Sequence, residues 1–172
     1  RLMPNPVNHY GCSKWSMEQI AKTYSDRLNI TITRPFNYTG VGQNEKFLIP
    51  KIVSHFKQKA DEISLGNIDI GRDFSDVRWI SQAYVQLLSV ATPGLQTVNL
   101  CSGKMFTISD IIEMLQLMTG HWIKVQTATD LIRQTDITRQ YGDNSYLYQL
   151  LTNFSMPVDF KETLEWMIQE DD

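Results

Sequence analysis

The sequence holds few of the residues that build metal centres or disulfide frameworks. Its 172 residues include two cysteines and three histidines. Cys12 and Cys101 stand far apart, and no paired Cys-x-x-Cys spacing occurs, so neither a disulfide framework nor a zinc site is expected. We therefore predict no metal ion in the functional site.

Clusters of positive charge and long apolar runs are lacking as well. The formal net charge is −3. Without a Lys/Arg cluster, the chain is not expected to bind nucleic acid or an anionic membrane. No apolar run approaches the roughly 20 residues of a membrane span, and the opening residues lack the charged and apolar regions of a signal peptide. These absences predict a soluble, cytoplasmic protein.

A glycine-rich phosphate-binding loop is the third absence. Gly40 and Gly42 form a G-x-G pair, but Glu45 stands where a dinucleotide-binding loop carries its third glycine. The chain also opens on an extended segment with Pro4 and Pro6, and no strand precedes it. If the protein depends on a dinucleotide, we expect the half that binds most of the cofactor to lie outside these 172 residues.

What is present is typical of a globular protein with alternating strands and helices. Apolar residues make up 42% of the chain and aromatic residues 10%, which argues against disorder. The residue patterns predict strands at 29–37, 63–77 (with a Gly-Asn turn), 96–103 and 121–127, and helices at 8–28, 47–59, 78–91, 104–120, 144–152 and 160–169. Strands that alternate with helices predict an α/β fold.

The first predicted helix begins with a phenol and an ammonium group one turn apart. Residues at helical spacing predict a buried stripe, namely Met17, Ile20, Ala21, Tyr24 and Leu28. Tyr10 and Lys14, at positions i and i+4, fall on one face ahead of that stripe. A positive charge beside a phenol favours its deprotonated form, which suits a group that exchanges a proton with a substrate. The same spacing also arises on ordinary helix surfaces, so the spacing alone leaves both interpretations open.

Five segments resemble the C-terminal half of the extended short-chain dehydrogenase/reductases that act on nucleotide sugars. They are PNPVNHYGCSK (4–14), TRPFNYTGVGQ (33–43), FLIPKIV (47–53), LGNIDIGRDFSDVR (65–78) and VNLCSG (98–103). Their order and spacing carry the resemblance over nearly the whole chain. Within the family, the GDP-6-deoxy-4-keto-mannose reductases and related 4-keto-6-deoxyhexose reductases look closest. The resemblance implies the C-terminal part of a Rossmann-type enzyme with its smaller substrate-binding domain.

The resemblance also implies how the chain divides. Residues 1–43 would end the NAD(P)-binding Rossmann domain and carry the Tyr-x-x-x-Lys helix. Residues 44–172 would form mainly the nucleotide-sugar-binding domain, with a strand and a helix near 75–100 returning to the Rossmann part.

The implied cofactor is NAD or NADP, and its contacts fall on two motifs. Tyr10 matches the tyrosine that passes a proton to or from the sugar oxygen at C4. Lys14 resembles the lysine that bonds the nicotinamide ribose and favours the deprotonated tyrosine. Pro35, Phe36 and Asn37 look like the strand-end segment beside the nicotinamide and the sugar pyrophosphate, so Asn37 also counts as a substrate contact.

Further positions resemble contacts to a nucleotide-sugar substrate. Lys51 matches a position that lies over the nucleotide, and Leu65, Gly66 and Asn67 resemble a turn that lines the base or ribose. Arg72 resembles the arginine that grips the diphosphate. An arginine suits this role because its planar fork donates two parallel bonds to phosphate oxygens. As an alternative, Arg72 and the aspartate that follows it are an ordinary surface ion pair.

The last implied contact is Arg133 with Asp136, similar to a later Arg-x-x-Glu pair on the nucleotide with aspartate in place of glutamate.

Family members also commonly dimerise through a four-helix bundle that includes the Tyr-x-x-x-Lys helix. A homodimer of the intact enzyme is therefore expected, with Trp15, Met17 and Tyr24 as apolar surface.

The implied reaction is reduction of a nucleotide-linked 4-keto-6-deoxyhexose at C4. The family's active site also uses a Ser or Thr ahead of the tyrosine. Its dehydratases have an acid–base carboxylate next to that Ser or Thr. Neither the Ser or Thr nor the carboxylate falls within these residues. A 4,6-dehydratase or a C4 epimerase on the same scaffold therefore stays open as an alternative. The second alternative is a non-catalytic binding subunit.

Overall fold

The structure, a computed structural model, describes residues 3–90, 93–131 and 137–170. Its helices are α1 (His9–Lys22), α2 (Leu48–Lys57), α3 (Val77–Leu88), α4 (Ile108–Thr119), α5 (Ser145–Leu150) and α6 (Phe160–Gln169). Its strands are β1 (Ile30–Pro35), β2 (Asn37–Thr39), β3 (Glu62–Leu65), β4 (Gly71–Arg72), β5 (Phe74–Asp76), β6 (Leu95–Leu100), β7 (Phe106–Thr107), β8 (Lys124–Thr127) and β9 (Arg139–Gln140). None of the helices in these ranges is long and apolar enough to cross a membrane.

Parallel pairing dominates the short sheets, which confirms the α/β prediction. Strands β1 and β6 pair in parallel from Ile30 with Leu95 to Pro35 with Leu100. Strands β2 and β5 pair in parallel, as do β3 and β8. Strand β4 lies between β7, which is antiparallel to it, and β9, which is parallel to it. Parallel strands need crossover connections, and here helices supply part of them.

The buried side chains form two clusters. The first gathers apolar side chains of α2, β3, α4 and α6 around fully buried Ile52, Ile111 and Leu164. The second gathers side chains of α3, β6 and the segment around α5, with Trp79 and Val98 at its centre. The candidate site lies beside the first cluster, whose buried Ile49 and Phe74 also line its cleft.

Side chains cap the first turn of helix α4. The Thr107 side chain accepts a hydrogen bond from the Asp110 backbone N–H at 3.0 Å, and the Asp110 carboxylate accepts one from the Thr107 N–H at 2.8 Å. This reciprocal capping box satisfies two N–H groups that the first helical turn leaves without partners. The left-handed Gly120, with φ of 66°, ends the helix.

The predicted buried stripe on the first helix is wrong for the described chain. Helix α1 has no buried residue. The large apolar side chains of the stripe are between 48% and 62% exposed, namely Met17, Ile20, Tyr24 and Leu28. Helical periodicity identifies an apolar face but not what covers it. An ion pair joins helix α1 to β1, since Arg34 Nε and Nη2 donate to the Glu18 carboxylate at 2.8 and 2.6 Å.

Strands do form within residues 63–77, but those that flank the Gly-Asn turn do not pair with each other. Strand β3 pairs with β8, and β4 pairs with β7 and β9. The turn itself is held locally, because the Asn67 side-chain oxygen accepts a hydrogen bond from the Asp69 N–H at 2.9 Å. The segment therefore leads from one sheet to another, which brings β4 to the edge of the cleft.

Candidate functional site

A cleft of about 580 Å³ opens between α1, the end of β1, the start of α2 and β4. The predicted site residues that line it are Tyr10, Pro35, Phe36, Asn37 and Arg72. They come from three of the five motifs, and the fold brings them together at one surface. The order of motifs along the chain alone does not determine this convergence.

Tyr10 lines this cleft, whereas Lys14 lies beside Tyr10 and does not itself line the cleft. Helix α1 starts after Asn8, whose side-chain oxygen accepts a hydrogen bond from the Gly11 N–H at 2.8 Å, so Tyr10 falls in the first turn. The Tyr10 side chain is 73% exposed. Lys14 Nζ lies 5.5 Å from the centre of the Tyr10 ring. The phenol and the ammonium group thus share one helix face, as the spacing predicts.

The end of β1 carries the next three predicted residues into the cleft. Pro35 has no N–H to extend the ladder, and the N–H of Phe36 donates to the carbonyl of Leu100 at 2.9 Å. Asn37 then begins β2, and its side-chain Nδ2 donates to the backbone carbonyl of Asp73 at 3.2 Å. Asn37 is thereby tied to the neighbour of Arg72.

Arg72 reaches the cleft from β4 and is partly anchored by backbone carbonyls. Its Nη1 donates to the Gly71 carbonyl at 2.9 Å and to the Ile137 carbonyl at 2.6 Å. Both bonds use Nη1, so the N–H groups on Nε and Nη2 stay available for a ligand within the described part of the chain. An arginine held by one nitrogen in this way presents the rest of its fork in a fixed direction. No ion pair joins Arg72 to Asp73 in the described ranges, because the Asp73 carboxylate bonds to other groups.

The other predicted substrate residues in the described part of the chain do not line this cleft. Lys51 Nζ donates to the carbonyl of Ser64 at 2.8 Å, which ties α2 to β3. Leu65 is buried in the first cluster. Gly66 and Asn67 form the turn that follows β3. Contact of these positions with a nucleotide stays a prediction.

The predicted pair Arg133 and Asp136 lies outside the described residues. Its role on the nucleotide likewise stays a prediction.

Sequence reasoning missed several residues of the cleft wall. They are Tyr38, Thr39, Gln43, Phe47, Leu48, Ile49, Pro50, Ile70, Phe74 and Gln140. Most lie inside or beside the quoted motifs, and Phe47, which is 58% exposed, opens one of them. An aromatic residue just before an amphipathic helix is a sequence signal that could have identified Phe47 as part of a binding surface. Gln140 lies in a polar stretch without periodicity, and no sequence signal points to it.

Asp76, just beyond the cleft, fixes the start of α3. Its Oδ1 accepts from the Arg78 N–H at 2.7 Å and from Arg78 Nε at 3.0 Å. Its Oδ2 accepts from Arg78 Nη2 at 2.7 Å and from Thr163 Oγ1 at 2.9 Å. Burial raises the pKa of Asp76, but the bonds from Arg78 and Thr163 outweigh burial and hold the pKa below its usual range. Arg78 in turn stacks 3.8 Å above the Trp166 ring, which joins α3 to α6.

Cys101 lies behind the cleft and does not have the properties of a nucleophile. It is fully buried. Burial, with the nearby Asp73 carboxylate, raises the pKa of the thiol to about 12. A thiol with so high a pKa carries almost no thiolate at neutral pH. Among the described residues, no group of three or more His, Cys, Asp and Glu side chains is arranged to hold a metal ion.

The sequence model of the GDP-mannose 4,6 dehydratase family matches residues 3–167. A GDP-6-deoxy-D-talose 4-dehydrogenase from Aggregatibacter actinomycetemcomitans is 38% identical over 166 residues, which is 96% of this chain and 56% of that protein. A GDP-6-deoxy-D-mannose reductase from Pseudomonas aeruginosa is 28% identical over 176 residues, 98% of this chain and 57% of that protein. The chain thus spans little more than half the length of these curated relatives.

The fold likewise matches part of a longer chain of known structure. The structure of RMD from Pseudomonas aeruginosa, complexed with NADPH, superposes with a TM-score of 0.86 at 28% identity. That match covers 98% of this chain and 57% of RMD. The described elements therefore have a counterpart in a chain of nearly twice the length.

Proposed function

The chain belongs to the GDP-mannose 4,6-dehydratase family, and from this premise we propose that it is the C-terminal part of an NAD(P)-dependent enzyme that reduces a nucleotide-linked 4-keto-6-deoxyhexose at C4. The observation that supports this most directly is the shared cleft. It holds Tyr10, which can exchange a proton, and Arg72, which can bind a diphosphate. A nucleotide-linked 4-keto sugar needs a proton donor at its C4 oxygen and a binding group for its diphosphate, which lies at the opposite end of the sugar ring.

Tyr10 is the proton donor in this proposal. Reduction of a ketone adds a hydride to the carbonyl carbon and a proton to its oxygen, and a bound nicotinamide supplies the hydride. The exposed Tyr10 hydroxyl would donate its proton to the C4 oxygen. The nearby Lys14 ammonium would stabilise the phenolate left behind.

The residues present fit the nicotinamide end of a dinucleotide. Lys14 carries three N–H donors that suit ribose hydroxyl groups, and Pro35 and Phe36 offer apolar surface beside Tyr10. The sequence has no G-x-G-x-x-G loop for the diphosphate of the cofactor. The proposal therefore assigns that end to residues beyond these 172. Both NAD and NADP remain compatible with the proposal.

Arg72 and Asn37 hold the substrate in this proposal. With Nη1 anchored on two carbonyls, the free edge of the Arg72 guanidinium faces a ligand diphosphate. Asn37 lines the same cleft as Arg72 and Tyr10 and offers an amide to the sugar or its pyrophosphate. Lys51 and the turn 65–67 are assigned to the nucleotide beyond the sugar.

The reaction is tested with the full-length protein, a GDP-linked 4-keto-6-deoxyhexose and NADPH or NADH. We expect stoichiometric loss of absorbance at 340 nm, a wavelength at which only the reduced nicotinamide absorbs. A 4,6-dehydratase or a C4 epimerase reoxidises its cofactor within each turnover, so no net loss would favour those alternatives. No turnover of any of these substrates would favour a binding subunit.

The configuration of the product at C4 follows from the same assay. The two relatives bear the names of 6-deoxy-talose and 6-deoxy-mannose, sugars that differ only in the configuration at C4. Since the talose relative is the more similar of the two, at 38% against 28% identity, we propose a product of the talose configuration. The proton couplings of H4 in the NMR spectrum distinguish an axial from an equatorial hydroxyl group.

The remaining parts of the proposal concern the whole protein. Residues 1–43 would complete an NAD(P)-binding domain and 44–172 would form mainly the substrate-binding domain, with 75–100 returning to the first. The protein would act in the cytoplasm as a homodimer, with α1 at the interface. The exposed apolar side chains of Met17 and Tyr24 support that interface.

A further inference from the structure

Asp73 is a buried carboxylate that the proposed reaction does not use. Its exposed fraction is 0%. Its Oδ1 accepts hydrogen bonds from the Ser102 N–H at 2.8 Å and from the Ser102 hydroxyl at 2.7 Å. Its Oδ2 accepts from the Gly103 N–H at 2.9 Å and from the Gly142 N–H at 3.1 Å. All four partners are donors, so the position requires a group that only accepts.

These bonds fasten two loops that are far apart in the sequence. One loop follows β6 and contains Ser102 and Gly103, and the other follows β9 and contains Gly142. The second loop approaches so closely that a Cβ on Gly142 would lie 2.5 Å from Cys101 Sγ and 2.9 Å from a ring atom of Phe36. The backbone of residue 142 thus packs against the cleft residue Phe36, and Asp73 holds it there.

The backbone of Asp73 binds the cleft wall directly. Its N–H donates to the Gln140 carbonyl at 2.9 Å, and its carbonyl accepts from Asn37 Nδ2 at 3.2 Å. Asn37 and Gln140 both line the cleft, as does Arg72, the preceding residue in the chain. One residue therefore connects the proposed sugar contact, the proposed diphosphate contact and two loops.

We propose that Asp73 is a positioning residue that sets the direction of the Arg72 guanidinium and the Asn37 amide in the cleft. This inference rests on the proposed function. The Asp73 carboxylate touches no ligand itself. It fixes the loops after β6 and β9, and these keep β4 and the start of β2 at the spacing that a sugar diphosphate requires. A shift of these elements would misplace Arg72 without removing it.

Asp73→Asn tests the inference because it keeps the size of the side chain and changes its hydrogen bonding. One oxygen of the carboxylate becomes an NH₂ group, which would face N–H donors of either Ser102 or the two glycines. We expect the KM for the nucleotide sugar to rise about tenfold or more, while kcat at saturation changes less than about threefold. Such a split is expected when binding is lost equally in the ground and transition states.

Asp76→Asn is the matched control. Asp76 lies in the same segment, is 1% exposed and also accepts four hydrogen bonds, but its partners are Arg78 and Thr163 rather than the loops after β6 and β9. We expect it to lower the melting temperature by a similar amount with less than a twofold change in KM. If both variants raise KM equally, Asp73 has only a general structural role and the inference is wrong.

Ser102→Ala keeps the inference testable if Asp73→Asn does not fold. It removes a single donor to the Asp73 carboxylate and leaves the bonds from three backbone N–H groups. We expect a two- to fivefold rise in KM with kcat retained, and an unchanged KM would overturn the inference. A wild-type enzyme that turns over no 4-keto sugar nucleotide would instead overturn the proposed function, so the two failures are distinct.

Discussion

Tyr10 and Arg72 line the same cleft, although Tyr10 lies in the first turn of α1 and Arg72 ends β4. In the proposed reaction, the Tyr10 hydroxyl donates a proton to the C4 oxygen of the sugar, and the Arg72 guanidinium binds the diphosphate attached to that sugar. Their separate positions on the cleft wall predict that substitutions at the two sites affect different kinetic constants.

Tyr10→Phe removes the hydroxyl group and keeps the ring. We expect kcat in the full-length protein to fall by a factor of about 10² to 10⁴, the usual contribution of a general acid. The affinity for the nucleotide sugar should stay nearly unchanged, since the ring still fills its place. Steady-state kinetics and calorimetry measure the two quantities. Tyr24→Phe, which lies outside the cleft, is the control, and unchanged activity in Tyr10→Phe would favour a non-catalytic role.

Arg72→Ala removes the proposed diphosphate contact. We expect a loss of about 2–4 kcal/mol in kcat/KM, because truncation of one partner of a hydrogen-bonded charge pair typically has such a cost. Most of the loss should appear in KM, since the diphosphate does not change in the reaction. Arg72→Lys should recover little, as an ammonium group cannot reproduce the fork.

Arg27→Ala is the control for Arg72, because Arg27 is exposed and pairs with its neighbour Asp26. Wild-type affinity for the nucleotide sugar in Arg72→Ala would mean that the diphosphate lies elsewhere.

The 172-residue chain alone should bind NAD(P) poorly. It offers Tyr10, Lys14 and the end of β1 to the nicotinamide, but its sequence has no glycine-rich loop for the cofactor diphosphate. We expect a dissociation constant weaker than about 1 mM, or less than about 4 kcal/mol of binding free energy. Isothermal titration with NADH and NADPH measures it, with the full-length protein as the positive control. Micromolar binding by the chain alone would contradict the expectation.

The exposed apolar side chains on α1 and in the turn that follows it predict a dimer of the full-length protein. Met17 is 55% and Tyr24 48% exposed, and a charge at either position would be buried without a partner in an interface. We expect Met17→Asp to convert a dimer into a monomer at micromolar concentration, as measured by sedimentation velocity. Leu117→Asp places the same charge on an apolar side chain that is 70% exposed on α4, and it should leave the dimer intact. A monomeric wild-type protein would count against the interface.

Asp76→Asn should make stability less dependent on pH. The pKa of Asp76 is lowered in the folded protein, so its contribution is complete above the unfolded value of about 3.9 and is lost as the pH falls through the lower folded value. We expect the variant to be less stable than wild type by about 1–3 kcal/mol at pH 7, the cost of disturbing buried hydrogen bonds. Urea denaturation between pH 7 and pH 3 should show this difference shrinking below about pH 4. A difference independent of pH would contradict the assignment.

The local elements were predictable because local chemistry determines them. The capping box of Thr107 and Asp110 involves only four consecutive residues, so its pattern is visible in the sequence. Pro35 ends β1 because proline has no backbone N–H to donate to the sheet ladder. The motifs with Tyr10 and Arg72 likewise predicted residues that meet in the cleft.

Long-range features were not predictable in the same way. The carbonyl of Ile137 that anchors Arg72 belongs to a stretch with no periodic pattern. The burial of Asp73 depends on donors from two distant loops, whereas a charged residue next to an arginine is usually a surface residue. The exposed stripe on α1 shows the same limit, since an apolar face does not reveal which surface covers it.

The pairing of β1 with β6 has a consequence for how the chain folds. Ile30 lies beside Leu95, so β2 to β5 and helices α2 and α3 lie in the loop that this pairing closes. Closing so long a loop costs conformational entropy, and the contacts between the two strands offset this cost only once the loop has closed. We therefore expect the helices and local turns between the two strands to form first and the β1–β6 ladder to be among the last parts of the chain to form.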